Sequence, residues 1–204
     1  MTTIETLTIG DAWLETARRI LADGADAVYD GQPTKELTLV TLTVTEPAPD
    51  DETIARLADP EWLDWMRRNF TEPDDVPELG GARSYARRLR DYDGRDQIAW
   101  VVDRLDDREC RSATITTFEP HTDTTYIPCI SLLDFWRVSG AVDLVVYAHS
   151  LDFGKKAYGN LVELARLQHE VAGRVASPVG SLVIHAKSAH VYEPELELMA
   201  EVTS

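Results

Sequence analysis

Cysteine is scarce in this chain, which has only Cys110 and Cys129. Their number and spacing suit neither a metal site nor a disulfide scaffold, in keeping with a reducing compartment. Positive charge is short as well: 20 lysines and arginines stand against 36 aspartates and glutamates, for a formal net charge of −16. That balance excludes a nucleic-acid partner, because phosphate contacts need a basic face that the composition does not supply. Acidic excess on this scale points instead to a strongly hydrated surface suited to a salt-rich cytoplasm. No apolar run approaches the ~18 residues of a membrane span, and Met1-Thr2-Thr3-Ile4-Glu5 lacks the basic start of a signal peptide. The expectation is a cytoplasmic protein with no membrane partner. Repeats and low-complexity segments are absent.

What is present reads as one domain over residues 1–204, with 44% hydrophobic and 27% charged residues. Gly10-Asp11 is placed to cap a helix whose Trp13, Ala17, Ile20 and Leu21 share one face, with Gly24 as its terminator. Val40, Leu42 and Val44 alternate with threonines, which predicts a half-buried strand. Pro60 opens a helix carrying Trp62 and Trp65. Thr71-Glu72-Pro73-Asp74-Asp75-Val76-Pro77 reads as an acidic loop able to act as a lid. Ser84 and Asp96 are placed as caps of two further helices, and Ala113, Ile115 and Thr117 alternate as a strand with Arg111 at its entrance.

Ser139-Gly140 marks the turn of a hairpin, with Leu132, Phe135 and Val138 before it and Val142, Leu144 and Val146 after it. The longest helix buries Leu161, Leu164, Ala165, Gln168 and Val171, and Ser181–Ala186 returns as a strand leading to His190. The sum is an α+β domain: a mixed sheet of five or six strands with helices mainly on one face.

Pro128 fixes the backbone just ahead of Cys129, and the thiol opens the strand-like run Ile130–Trp136. By itself such a cysteine reads as a small buried hydrophobe. Its company changes the reading: His149-Ser150-Leu151-Asp152 follows, then Asn160 at the front of a helix, then His190-Val191-Tyr192 at the end of a strand.

In residue type, order and spacing this set resembles the thymidylate synthases. Their pattern runs Pro-Cys, then Arg-Ser-x-Asp, then Asn eight residues beyond that Asp, then His-x-Tyr. Trp62-Leu63-Asp64-Trp65 is similar to the family's Trp-x-x-Trp, Ser84-Tyr85 to its Tyr-Gly, and Asp96-Gln97 to the start of its next helix. The likeness is strongest over residues 60–199.

The resemblance implies a thymidylate synthase-like fold in which a second subunit covers the bare sheet face, giving a homodimer. It implies methyl transfer from 5,10-methylenetetrahydrofolate to carbon five of a uracil nucleotide through a Cys129 adduct. Arg111 would lower the thiol pKa, and Asn160 would read the uracil. Asp152, with Trp62 and Trp65, would hold the folate. Ser150, His149 and Arg111 would bind substrate, His190 and Tyr192 would hold the sugar hydroxyl, and Tyr85 would join the proton network. No metal is implied.

The chain also departs from the pattern. His149 stands where an arginine belongs, Cys110-Arg111-Ser112 stands for Ser-Arg-Arg, and the N-terminal Arg-Thr-Gly loop and an early proton-relaying Glu have no counterpart. A histidine is mostly neutral at pH 7 and does not replace a guanidinium on a phosphate dianion. Twelve residues follow Tyr192, so the family's closing segment is largely missing and a wetter site is expected. Three accounts stand open: charge from Lys155-Lys156, a pyrimidine nucleoside as substrate, or lost catalysis. A hydroxymethylase and a non-catalytic dimeric member are the alternative functions.

Overall fold

The computed structural model describes residues 1–73, 79, 82–107, 109–124 and 126–204. Its elements are β1 (Thr2–Thr6), α1 (Ile9–Asp23), β2 (Ala25–Tyr29), β3 (Gln32–Val44), α2 (Glu52–Leu57), α3 (Pro60–Thr71), α4 (Tyr85–Arg90), α5 (Gln97–Asp106) and β4 (Ser112–Thr116). There follow β5 (Ile130–Val138), β6 (Ala141–Ala148), β7 (Leu151–Asp152), α6 (Ala157–Arg174), β8 (Val179–Tyr192) and α7 (Leu196–Val202). Asp74–Pro77 of the expected acidic loop lie outside the described residues.

The strands form one mixed sheet in the order β1-β3-β8-β6-β5-β4, with β2 added to β3 and β7 to β8. Among the described residues there are thus eight strands, where five or six were expected. The additional ones are short: Thr2–Thr6 is mostly polar, and β7 is two residues long. The β2–β3 hairpin turns at Asp30-Gly31, both with positive φ. Asp-Gly is the composition that such a turn demands. Ser139-Gly140 turns the β5–β6 hairpin in the same conformation.

Helix starts follow their side chains. Thr8, rather than Gly10-Asp11, caps α1 by accepting from the Asp11 N–H; Asp59, Ser84 and Asp96 do the same for α3, α4 and α5. Pro60 sits in the first turn of α3, where its missing N–H costs nothing.

Alternation sets the layers. Val142, Leu144, Val146, Leu182, Ile184 and Ala186 are buried under the helices, and Trp13 of α1 donates its indole N–H to the Phe153 carbonyl at 2.9 Å. In β5 a register shift between Ile130 and Leu132 turns Leu133 and Phe135 inward and leaves Leu132 exposed. Exposed Leu132, Trp136 and Tyr147 lie on the other sheet face. Helix α3 packs on α6 at Gly159, where an added Cβ would come within 2.8 Å of the Met66 side chain. That close approach brings the tryptophans of α3 beside the start of α6.

Candidate active site

Cys129 is held where β5 begins. Its carbonyl accepts the His149 N–H at 2.7 Å, which closes the β5–β6 pair beside the thiol. The Ile130 N–H donates to the Tyr85 hydroxyl at 2.9 Å, the Ile130 carbonyl accepts from the Thr117 hydroxyl, and the Ser131 hydroxyl donates to the Pro128 carbonyl at 3.0 Å. Helix α4, the stretch after β4 and the strand itself therefore fix the sulfur from three directions.

The Ser150 hydroxyl lies 3.7 Å from Sγ. Cys129 keeps part of its surface open to solvent. Its surroundings are nevertheless dense enough to push the thiol pKa up; the Ser150 hydrogen bond and the Lys156 ammonium oppose that rise, and Asp152 and Asp30 add to it. Tyr29, Tyr85, Tyr126 and Tyr192 all feel the Cys129 charge. Burial is the main cause of the raised phenol pKa in each. Protonated phenols around a resting thiol are the result.

Asp152 and His190 face each other in the parallel β7–β8 register. Burial lifts the Asp152 carboxyl to about 6, against the pull of Lys156 and of the N–H groups of Gly154 and Lys155. His190 is driven to about 4 by burial and by Lys156, so it is neutral at pH 7. Its ring stacks on Tyr29 at 4.5 Å and meets Tyr192 edge-on at 5.0 Å, while Nδ1 pairs with the Ser188 hydroxyl at 3.2 Å. Nε2 is buried with no partner.

Asn160, 3% exposed, donates from Nδ2 to the Lys156 carbonyl at 3.2 Å and leaves Oδ1 without a partner. Trp62 and Trp65 meet edge to face at 5.4 Å. The Lys156 ammonium lies 5.5 Å and 5.7 Å from their centroids. Trp65 also has an unpaired buried indole N–H. A cleft of about 570 Å³ runs beside this pair, lined by Pro60, Glu61, Asp64 and Arg68. A groove of about 440 Å³ between α2, α3 and α6 has none of the anticipated site residues in its wall.

Of the residues singled out from sequence, Cys129, Tyr85, Ser150, Asp152, His190 and Tyr192 share bonds, ring contacts or charge effects. Asn160, Trp62 and Trp65 join them through Lys156. Arg111 does not. It is exposed and its carbonyl accepts the Arg137 N–H at 2.8 Å, so it sits at the far end of β5. Eight strand steps place it roughly 25 Å from the thiol within one chain. The expectation that it lowers the pKa of this chain's own Cys129 is therefore corrected.

His149 is beside the thiol through its backbone, but its imidazole lies against the Lys187 ammonium, 3.4 Å from Nδ1 and 3.3 Å from Nε2. Burial and then Lys187 lower its pKa. Sequence reading missed Tyr29, Asp30, Tyr126 and Lys187. The Asp30-Gly31 pair was the available signal for the first two. Among the described residues no group of three or more His, Cys, Asp or Glu is placed to hold a metal ion, and no helix is long and apolar enough to cross a membrane.

Asp152 gives a direct check. Its pKa is about 6 when folded and ~3.9 in a free chain. The neutral form is thus favoured by folding, and stability falls as pH rises from 4 through 6. Asp152→Asn is expected to stabilise the chain by about 2–3 kcal/mol at pH 7 and by only about 0.5 kcal/mol at pH 4. Denaturant melts at the two pH values read this out, and an equal effect at both counts against it.

A mixed α+β sheet thus carries a thiol at a strand margin, with buried unpaired amide and imidazole atoms nearby and an aromatic pair at the neighbouring helix. The thymidylate synthase family model matches residues 49–204, and the chain belongs to that family. A Methanothermobacter thermautotrophicus protein named "Putative thymidylate synthase" is 30% identical over 98% of this chain and 97% of its own length. Its counterpart from Methanothermobacter marburgensis is 29% identical over 95% and 94%. The thymidylate synthase of Enterobacteria phage T4 is 28% identical over 58% of this chain and 42% of its own.

Proposed function

We propose that the protein transfers a one-carbon unit, as methyl, from 5,10-methylenetetrahydrofolate to carbon five of a uracil nucleotide through a covalent Cys129 adduct. The observation that carries this reading is the pair of orphaned buried atoms, Asn160 Oδ1 and His190 Nε2. Buried polar atoms are seldom left unpaired. A uracil offers an N3–H to the first and its O4 to the Asn160 amide N–H, and the sugar hydroxyl is suited to the neutral imidazole.

As the Cys129 sulfur bonds to carbon six, the ring double bond shifts toward O4 and carbon five becomes nucleophilic. Ser150 donates a hydrogen bond to the sulfur at 3.7 Å, which favours the thiolate that attacks. The residues present also fit a reduced folate: Trp62 and Trp65 offer ring faces, and Asp152 offers a buried carboxyl to the N–H groups of a pterin. When bound, that cofactor supplies the methylene carbon and the hydride that makes it methyl. The uncovered sheet face with Leu132, Trp136 and Tyr147 supports a homodimer, since a contiguous apolar face of this kind marks an interface.

The test uses purified protein, methylenetetrahydrofolate and deoxyuridine monophosphate tritiated at carbon five. Tritium release with a methylated product is expected. A hydroxymethylated product would replace the methyl reading with hydroxymethyl transfer, and no release would overturn both.

A further inference from the structure

Tyr29 lies ahead of residues 49–204, the stretch that the family model matches, yet it reaches the site. It ends β2 directly before the Asp30-Gly31 turn and pairs with Gln32 across it. A two-residue turn with both φ positive is tight, so the side chains that flank it are held in fixed register. Along this edge strand Val28 points outward, 72% exposed, and Tyr29 is half-buried on the opposite face. That face meets His190: the two rings stack at 4.5 Å with 20° between their planes. At its far end the phenol hydrogen-bonds with Ser150, whose own hydroxyl lies 3.7 Å from Cys129 Sγ.

His190 is gripped on all sides but one. Tyr29 covers a ring face, Tyr192 meets the ring edge-on at 5.0 Å, and the Ser188 hydroxyl pairs with Nδ1 at 3.2 Å. Nε2 is buried and has no partner among the described residues. Ser188 and Tyr192 sit two positions either side of His190 on β8, so they share its face and flank the ring. Rotation of an imidazole about its second side-chain torsion is broad, and a single bond to a hydroxyl that itself turns fixes it poorly. A flat ring laid on the imidazole from a separate hairpin removes that freedom.

We infer that Tyr29 is a positioning residue of this site: stacked on His190, it fixes the plane of the imidazole and keeps Nε2 aimed at the substrate. For what Nε2 meets, the inference rests on the pyrimidine reading above. The stack also keeps water off the ring. The other charged groups around His190 are Lys156 ahead of α6, Asp152 opposite it in β7 and Glu36 opposite it in β3. Substitution at position 29 alters none of them, and burial keeps the Tyr29 and Tyr192 phenols protonated.

The test combines steady-state tritium release from deoxyuridine monophosphate with a ring-proton NMR titration of His190, on wild type, Tyr29→Leu and Tyr29→Phe. Tyr29→Leu is expected to raise KM about 10-fold with kcat within ~3-fold. The same variant should move the His190 midpoint from about 4 to above ~5, as water reaches the ring. Tyr29→Phe keeps the ring face and should hold both values near wild type, which separates the stack from any loss of folding. An unmoved KM and midpoint in the leucine variant, or a phenylalanine variant as impaired as the leucine one, overturns the inference. Should wild type release no tritium, the pyrimidine reading falls and the ring titration decides the inference: different midpoints in the two variants support the hold of Tyr29 on His190, and equal ones overturn it.

Discussion

Replacing Cys129 with alanine is expected to cut tritium release from carbon five by about 10³-fold or more, because no other described side chain at this margin offers a comparable nucleophile. Affinity for deoxyuridine monophosphate should stay within a few-fold, since the groups proposed to bind the nucleotide, Asn160 and His190, are untouched. The fold should survive as well. The sulfur contributes one long hydrogen bond, with Ser150 at 3.7 Å, and a part-exposed site; losing them costs about 1 kcal/mol. Cys129→Ser keeps the size of the side chain but is expected to be nearly as inactive. Tritium release and ligand titration on the same preparations separate chemistry from binding. Release at the wild-type rate from the alanine variant would remove the adduct from the account.

Arg88→Leu is expected to be the most damaging substitution for stability, at about 3–5 kcal/mol. The guanidinium is 2% exposed. It makes two 2.7 Å hydrogen bonds to the two oxygens of Asp123, and donates to the Thr117 carbonyl at 2.7 Å and the Arg83 carbonyl at 3.0 Å. Deleting it leaves the buried Asp123 carboxylate with no paired cation and, among the described residues, only the Glu119 N–H, at 2.7 Å, as a donor. Asp123→Asn added to the leucine variant should recover part of the loss, giving a coupling above about 1 kcal/mol in a double-mutant cycle. Thr117 is the residue whose hydroxyl holds the Ile130 carbonyl, so Arg88 also braces the strand start that carries the thiol. Additive losses in urea melts would show that the arginine and the aspartate act independently.

Much of this was legible where local chemistry governs. Ser84 and Asp96 cap their helices, Ser139-Gly140 turns its hairpin and Val40–Val44 alternates as a strand, because each rests on a few neighbouring residues. The order Cys129, Ser150, Asp152, Asn160, His190 was readable as a set through a family pattern, though no spacing alone shows that β7 lies against β8. What long-range pairing decides was hidden. Thr2–Thr6 becomes a strand only because it runs parallel to residues 40–44 of β3. Arg111 looked close to Cys129 in sequence, separated by one loop, but antiparallel pairing of β4 with β5 sends it to the opposite end. Arg88 lies in the basic run Arg87-Arg88-Leu89-Arg90, and its burial depends on Asp123 arriving from a distant loop.

The dense, phenol-lined surroundings of Cys129 also govern its exposure to oxidants. Peroxide reacts with the thiolate rather than the thiol, and a sulfur held protonated enters the sulfenic and sulfinic series slowly. Slow consumption of peroxide by Cys129 in the free protein is the expected consequence.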